Sequence, residues 1–170
     1  MKKLVMVIAL AAILATGTAF AVQDGLGIGV FGSGGGGWEA GSVGGGGALS
    51  LKLPSMPVYW GINFGLGNGF WLGVSGDFLH LIDNQPLVQD IGLSWFIRGG
   101  LYGKLWLGGE WVALDFGARL PIGLSWQPIR LFELFIDIAP SIGLGMAFAD
   151  PLYVGLGGGW VGELGIRLWF

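Results

Sequence analysis

Three groupings of residues in this chain could do chemistry. Ser75, Asp77 and His80 supply the residue types of a hydrolytic triad, in which a base activates a nucleophile and is itself oriented by a third group. In an extended strand, however, Asp77 and His80 fall on opposite faces and Ser75 falls with Asp77. One strand therefore assembles no triad, and the lone histidine is expected at a rim, capping a turn. Glu133 and Asp137 share a strand face and could be read as the paired acids of glycoside chemistry. Arg119 and Arg167 are expected to neutralise them from the strands on either side. Gly27-Ile28-Gly29-Val30-Phe31-Gly32 spells G-x-G-x-x-G, but a dinucleotide site needs that turn to open a helix within a βαβ unit. Here more glycine follows, and in a chain with 36 glycines the match is close to chance. The expectation is a protein without a catalytic, cofactor or metal site, and not an enzyme.

The elements that must position these residues read as strands. Alternation of apolar and polar residues places them near 24–32, 44–53, 57–66, 69–80, 90–104, 110–126, 131–146 and 157–170. Turn signals separate them: Pro54-Ser55-Met56-Pro57, Gly67-Asn68-Gly69, Asn84-Gln85-Pro86, Gly108-Gly109, Gln127-Pro128 and Asp150-Pro151. Eight is an even number and the smallest common size for an outer-membrane barrel. Several strands reach the roughly 9–11 residues of a tilted crossing.

The placement of charge carries the membrane reading. Asp77, Arg98, Asp115, Arg119, Glu133, Asp137, Glu163 and Arg167, with Lys52 and Lys104, all sit on the less greasy face of their strand. That face is otherwise glycine, serine and aromatic residues, whereas the outer face of a soluble strand would be mostly charged. If the greasy face meets lipid, these charges point into a lumen just wide enough for side chains to fill. There they are tolerable only when paired and hydrogen-bonded. Equal numbers of acids and bases fit an ion-pair network that plugs the lumen, with Lys52 and Lys104 expected at the rim in water. Glycine relieves crowding inside so tightly curved a sheet. Trp60, Trp71, Trp106, Trp111, Trp126 and Trp169 fall near strand ends, where a girdle at the head-group level is expected.

Composition agrees. The chain is 53% hydrophobic and 11% charged, against about a quarter charged in soluble domains. Yet no run after residue 21 matches the roughly 20 apolar residues of a membrane helix. Lys2 and Lys3 precede an apolar run from Leu4 to Leu14, and Ala19-Phe20-Ala21 has the form of a signal-peptidase site. Residues 1–21 are thus expected to be a cleaved signal peptide, and 22–170 one domain. Removing Lys2 and Lys3 takes the net charge from −3 to about −5, with no basic patch for nucleic acid. The absence of cysteine excludes disulfides and thiolate metal sites. The final strand puts Leu164, Ile166, Leu168 and Phe170 on one face and Glu163, Arg167 and Trp169 on the other, as a closing barrel strand should.

Several segments resemble a family of small, mostly uncharacterised bacterial outer-membrane barrels, similar in architecture to OmpX and the transmembrane domain of OmpA. They are Gly76-Asp77-Phe78-Leu79, the run from Gly117 to Trp126, the run from Glu133 to Pro140, and Gly165-Ile166-Arg167-Leu168-Trp169-Phe170. The resemblance covers roughly the last hundred residues. It implies an eight-stranded antiparallel transmembrane β-barrel, with Phe170 as the assembly signal read by the barrel-insertion machinery after passage with periplasmic chaperones. The expected protein is a monomer of the cell outer membrane, in contact with its lipid and with a structural role. Two alternatives remain open: a narrow channel for ions or small solutes, and a surface-binding role through the loop expected at 33–43.

Overall fold

The computed structural model describes residues 25–37, 43–66, 69–108, 112–148 and 152–170. The segment expected to be a signal peptide lies outside them. The described residues form nine strands: β1 (Gly27–Gly37), β2 (Val43–Lys52), β3 (Tyr59–Leu66), β4 (Phe70–Val88), β5 (Leu93–Leu107), β6 (Val112–Arg119), β7 (Ile122–Ile129), β8 (Phe132–Phe148) and β9 (Tyr153–Trp169). All pairings are antiparallel, and β1 pairs with both β2 and β9, so the sheet closes into a ring.

The ring has eight members because β6 and β7 are two halves of one. Gly100 faces Arg119 and Ile97 faces Ile122, so β5 keeps a single register across the break. β8 does the same, from the Arg119–Ser141 pair to the Ile122–Ile138 pair. The interruption falls at Leu120-Pro121, where proline has no N–H to give the ladder. Backbone bonds from Arg98 N to Pro121 O and from Leu120 N to Pro140 O, each 2.9 Å, bridge it.

The pleat sorts the side chains. Along β3, Tyr59, Gly61, Asn63 and Gly65 face in and Trp60, Ile62, Phe64 and Leu66 face out. Along the end of β9, Glu163, Gly165, Arg167 and Trp169 are buried while Leu164, Ile166 and Leu168 are exposed. Several boundaries differ from expectation: β7, for one, runs to Ile129 through the expected turn at Gln127-Pro128. β4 runs on to Val88, through the expected turn at Asn84-Gln85-Pro86, and breaks register against β5 four times. The chain turns instead at a 3-10 turn, Gln89–Ile91, closed by Gly92 in the left-handed region at φ 69°. Ser33–Gly36, expected to begin an outside loop, is paired strand on both edges, and Gly37 pairs with β9; residues 38–42 lie outside the described set.

Curvature is tight enough to exclude side chains at some inward positions. A Cβ on Gly117 would fall on the Ile142 carbonyl and Gly143 Cα of β8, while one on outward Gly103 would meet open space. Backbone cannot step aside as a flexible side chain can. Gly117→Val is therefore expected to abolish cooperative unfolding of the refolded protein, followed by circular dichroism in urea. Gly103→Val should keep the wild-type transition within about 0.5 kcal/mol.

Candidate functional site

The charged side chains inside the ring form two layers. In the first, Arg167 on β9 donates from Nη1 to Glu133 Oε2 at 2.7 Å and from Nε and Nη2 to Ser50 Oγ at 3.1 and 2.9 Å. Glu133, across the β8–β9 ladder from Arg167, also accepts from Ser125 Oγ at 2.7 Å and Trp169 Nε1 at 2.8 Å. Both oxygens of this buried carboxylate are thereby satisfied. In the same layer Arg98 forks onto Asp83 Oδ1 from Nε and Nη2, at 3.0 and 2.7 Å. Its guanidinium carbon stands 3.8 Å from the Tyr59 ring centroid and 4.0 Å from that of Phe96. Arg167 lies 4.8 Å from the same Tyr59 ring, so one aromatic side chain contacts two cations. Such stacking suits the planar, weakly hydrated guanidinium.

The second layer is built on Arg119. Its Nη1 and Nη2 donate to Glu163 Oε1 and Oε2 at 2.8 and 3.0 Å, a bidentate fork, and Nε lies 3.1 Å from Asp77 Oδ1. Arg119 does not pair with Asp137, as the sequence suggested it would. Glu163 on β9 and Asp77 on β4 lie against it instead, although Arg119 Nε and Asp77 Oδ1 make no hydrogen bond. Asp137 instead sits directly across the ladder from Glu163, with Oδ1 buried and without a hydrogen-bond partner. Like charges directly opposed in a sheet are unfavourable. Between the layers lies a void of about 20 Å³, room for about one water.

Beyond the second layer, Lys104 and Asp115 face each other across β5 and β6. Tyr102 Oη donates to Asp115 Oδ1 at 3.2 Å, and Lys104 Nζ stands 5.5 Å from the ring centroids of both Trp71 and Tyr102. Here the interior widens into a chamber of about 510 Å³, with Arg119 and Glu163 in its floor.

Other expectations are corrected. Lys52 is not at a wet rim but 1% exposed, donating to Leu53 O at 2.9 Å, and Lys104 lines the interior. Trp71, Trp106 and Trp169 turn inward, Trp169 as a donor to Glu133, so they cannot belong to a girdle. Trp60 and Trp126 face out, and Trp111 lies outside the described residues. His80 shares the inner face with Asp77 because Phe78 is an extra residue: Asp77 pairs with Gly100, but Leu79 pairs with Gly99. Such a bulge reverses the alternation. His80 Nε2 lies 2.8 Å from Pro57 O and Nδ1 3.4 Å from Asp83 Oδ2, and neither partner is a nucleophile. Asp83, absent from the sequence-based set because it fell in an expected turn, is a sixth inward acid beside Asp77, Asp115, Glu133, Asp137 and Glu163. Among the described residues five bases oppose them: Lys52, Arg98, Lys104, Arg119 and Arg167.

The two layers make opposite demands on substitution. Glu133→Gln strands the buried Arg167 charge and should cost about 3 kcal/mol in urea unfolding, much of it recovered by adding Arg167→Met. Asp137→Asn, which removes a like-charge opposition, should be neutral or stabilising. Comparison of the chain with protein-family models, with curated proteins and with solved structures gives no match in any of the three.

Proposed function

We propose that this chain is an integral outer-membrane β-barrel with a structural role, its lumen plugged by the paired charges. The observation that carries this reading is the inversion of its surface. Among the described residues, no Asp, Glu, Lys or Arg lies on the outward face of a paired strand, while Ile62, Leu101, Ile136, Ile142 and Leu164 are each at least 49% exposed there. Soluble monomers rarely expose contiguous apolar patches beyond a few hundred Å². Here the apolar exposure girdles the ring. A closed ring also meets the requirement of lipid that every backbone N–H and C=O be satisfied internally.

The plug follows from the two layers. Guanidinium groups of Arg98 and Arg167 hold carboxylates on the neighbouring strand and that of Arg119 reaches past β8 to Glu163 on β9, leaving a water-sized void between the layers. A hydrated ion finds no continuous path past these side chains. The channel reading is the less supported one. An export signal at residues 1–21, barrel-insertion machinery and periplasmic chaperones complete the proposal as expectations of the sequence. Phe170 fits its part in one respect. Its backbone pairs with Leu26 at 2.9 and 3.1 Å, extending the closing ladder, while its ring is 70% exposed.

The test is refolding of residues 22–170 from urea into phosphatidylcholine vesicles, followed by planar-bilayer recording. Folded protein that resists extraction from vesicles and passes no discrete current is expected. A water-soluble folded monomer would contradict the membrane reading, and reproducible openings would contradict the plug. Deletion of Phe170 is expected to lower the level of folded protein in cell envelopes several-fold; unchanged levels would remove its role as an assembly signal.

A further inference from the structure

Among the described residues the interior is filled at one end and open at the other, and the open space is not a by-product of curvature. At inward Gly44, Gly145 and Gly157 an added Cβ would meet nothing within 4 Å, so larger residues would fit. An eight-stranded ring normally has an interior that side chains fill. Here glycine on β2, β8 and β9 leaves the chamber of about 510 Å³, within the ~300–1,000 Å³ usual for small-molecule sites.

The opposite wall is aromatic. Trp71 and Trp106 stand with ring centroids 5.8 Å apart, Tyr102 lies beside them, and Lys104 projects among the three. Arg119 is engaged with Glu163 in the floor, and one oxygen of Asp115 with the Tyr102 hydroxyl. Among the described residues, the Lys104 ammonium has neither a hydrogen bond nor an ion pair, only the two rings. Its three donors open onto the chamber. A ligand that enters finds, among the described residues, one ammonium with no hydrogen bond, faced across the ladder by the Asp115 carboxylate, with aromatic surface on that side and bare main chain on the other.

We propose that this chamber binds one small organic anion, a monocarboxylate with a flat apolar body, whose carboxylate accepts from Lys104 Nζ while the body lies between Trp71, Trp106 and the glycine wall. The site depends on the ring and its chamber and not on the surrounding medium, so it stands apart from the membrane reading.

The experiment is calorimetric titration of the refolded protein with 2-naphthoate, with 2-naphthylmethanol and 2-naphthylmethylamine as neutral and cationic counterparts. One 2-naphthoate per chain is expected, at least tenfold tighter than either counterpart. Lys104→Met should erase that preference. Gly157→Leu, which fills open space, should abolish binding of all three, with circular dichroism matching the wild type. Equal affinity for the three probes would overturn the proposal, as would a preference that survives Lys104→Met or a folded sample that gives no saturable heat. The same titration reads the chamber in detergent or in plain buffer, so failure of the membrane reading would leave its outcome interpretable.

Discussion

Charge in this ring has only one place to go. The pleat gives each strand two faces, and the outward one carries no Asp, Glu, Lys or Arg along its described length. Every charged residue of the described strands is thus driven into the interior. Burying even one ion costs several kcal/mol unless its partners compensate. The rest of the structure follows from this constraint. Three arginines take up carboxylates on other strands, and the planar guanidinium groups of Arg98 and Arg167 also rest on aromatic rings. Ser50, Ser125 and Trp169 supply the remaining hydrogen bonds, so that Glu133 and Arg167 are closed on all sides.

Asp137 marks where the scheme is imperfect. It lies in the same interior, opposite Glu163, yet Arg119 is committed elsewhere and its Oδ1 has no hydrogen-bond partner. The sixth acid, Asp83, is accommodated at the other layer by the Arg98 fork. Balance is therefore set locally, layer by layer, and not by the total number of charges. The lower layers are closed by long side chains; the upper part is opened by glycine. The same residue type serves two ends, removing a clash at Gly117 and leaving space at Gly145 and Gly157.

Much of this was legible in the sequence because period-2 alternation survives wherever strands pair regularly. The inward assignment of Arg98, Arg119, Glu133, Asp137, Glu163 and Arg167 needs only parity, and parity holds along β5, β6, β8 and β9. It fails along β4. The extra residue at Phe78 shifts His80 to the inner face, and later irregularities carry Asp83 inward with it. No local residue type announces a bulge there. Partner choice was equally hidden. That Arg119 takes Glu163 and Asp77 over Asp137 depends on distances across the ring, which no single strand encodes. The tryptophans misled for another reason: position near a strand end suggested a girdle, but face decides, and by parity Trp71, Trp106 and Trp169 belonged inside.

The central claim is that the outward face meets lipid all the way round. Because the chain has no cysteine, single thiols can be placed at Ile62, Leu101, Ile136 and Leu164, outward on β3, β5, β8 and β9, and at Ser141 inside as a control. With fluorophores on these thiols in refolded vesicle samples, brominated lipid should quench all four outward positions and leave Ser141 bright, and aqueous acrylamide should spare the four. Outward positions quenched by acrylamide and untouched by brominated lipid would contradict the account.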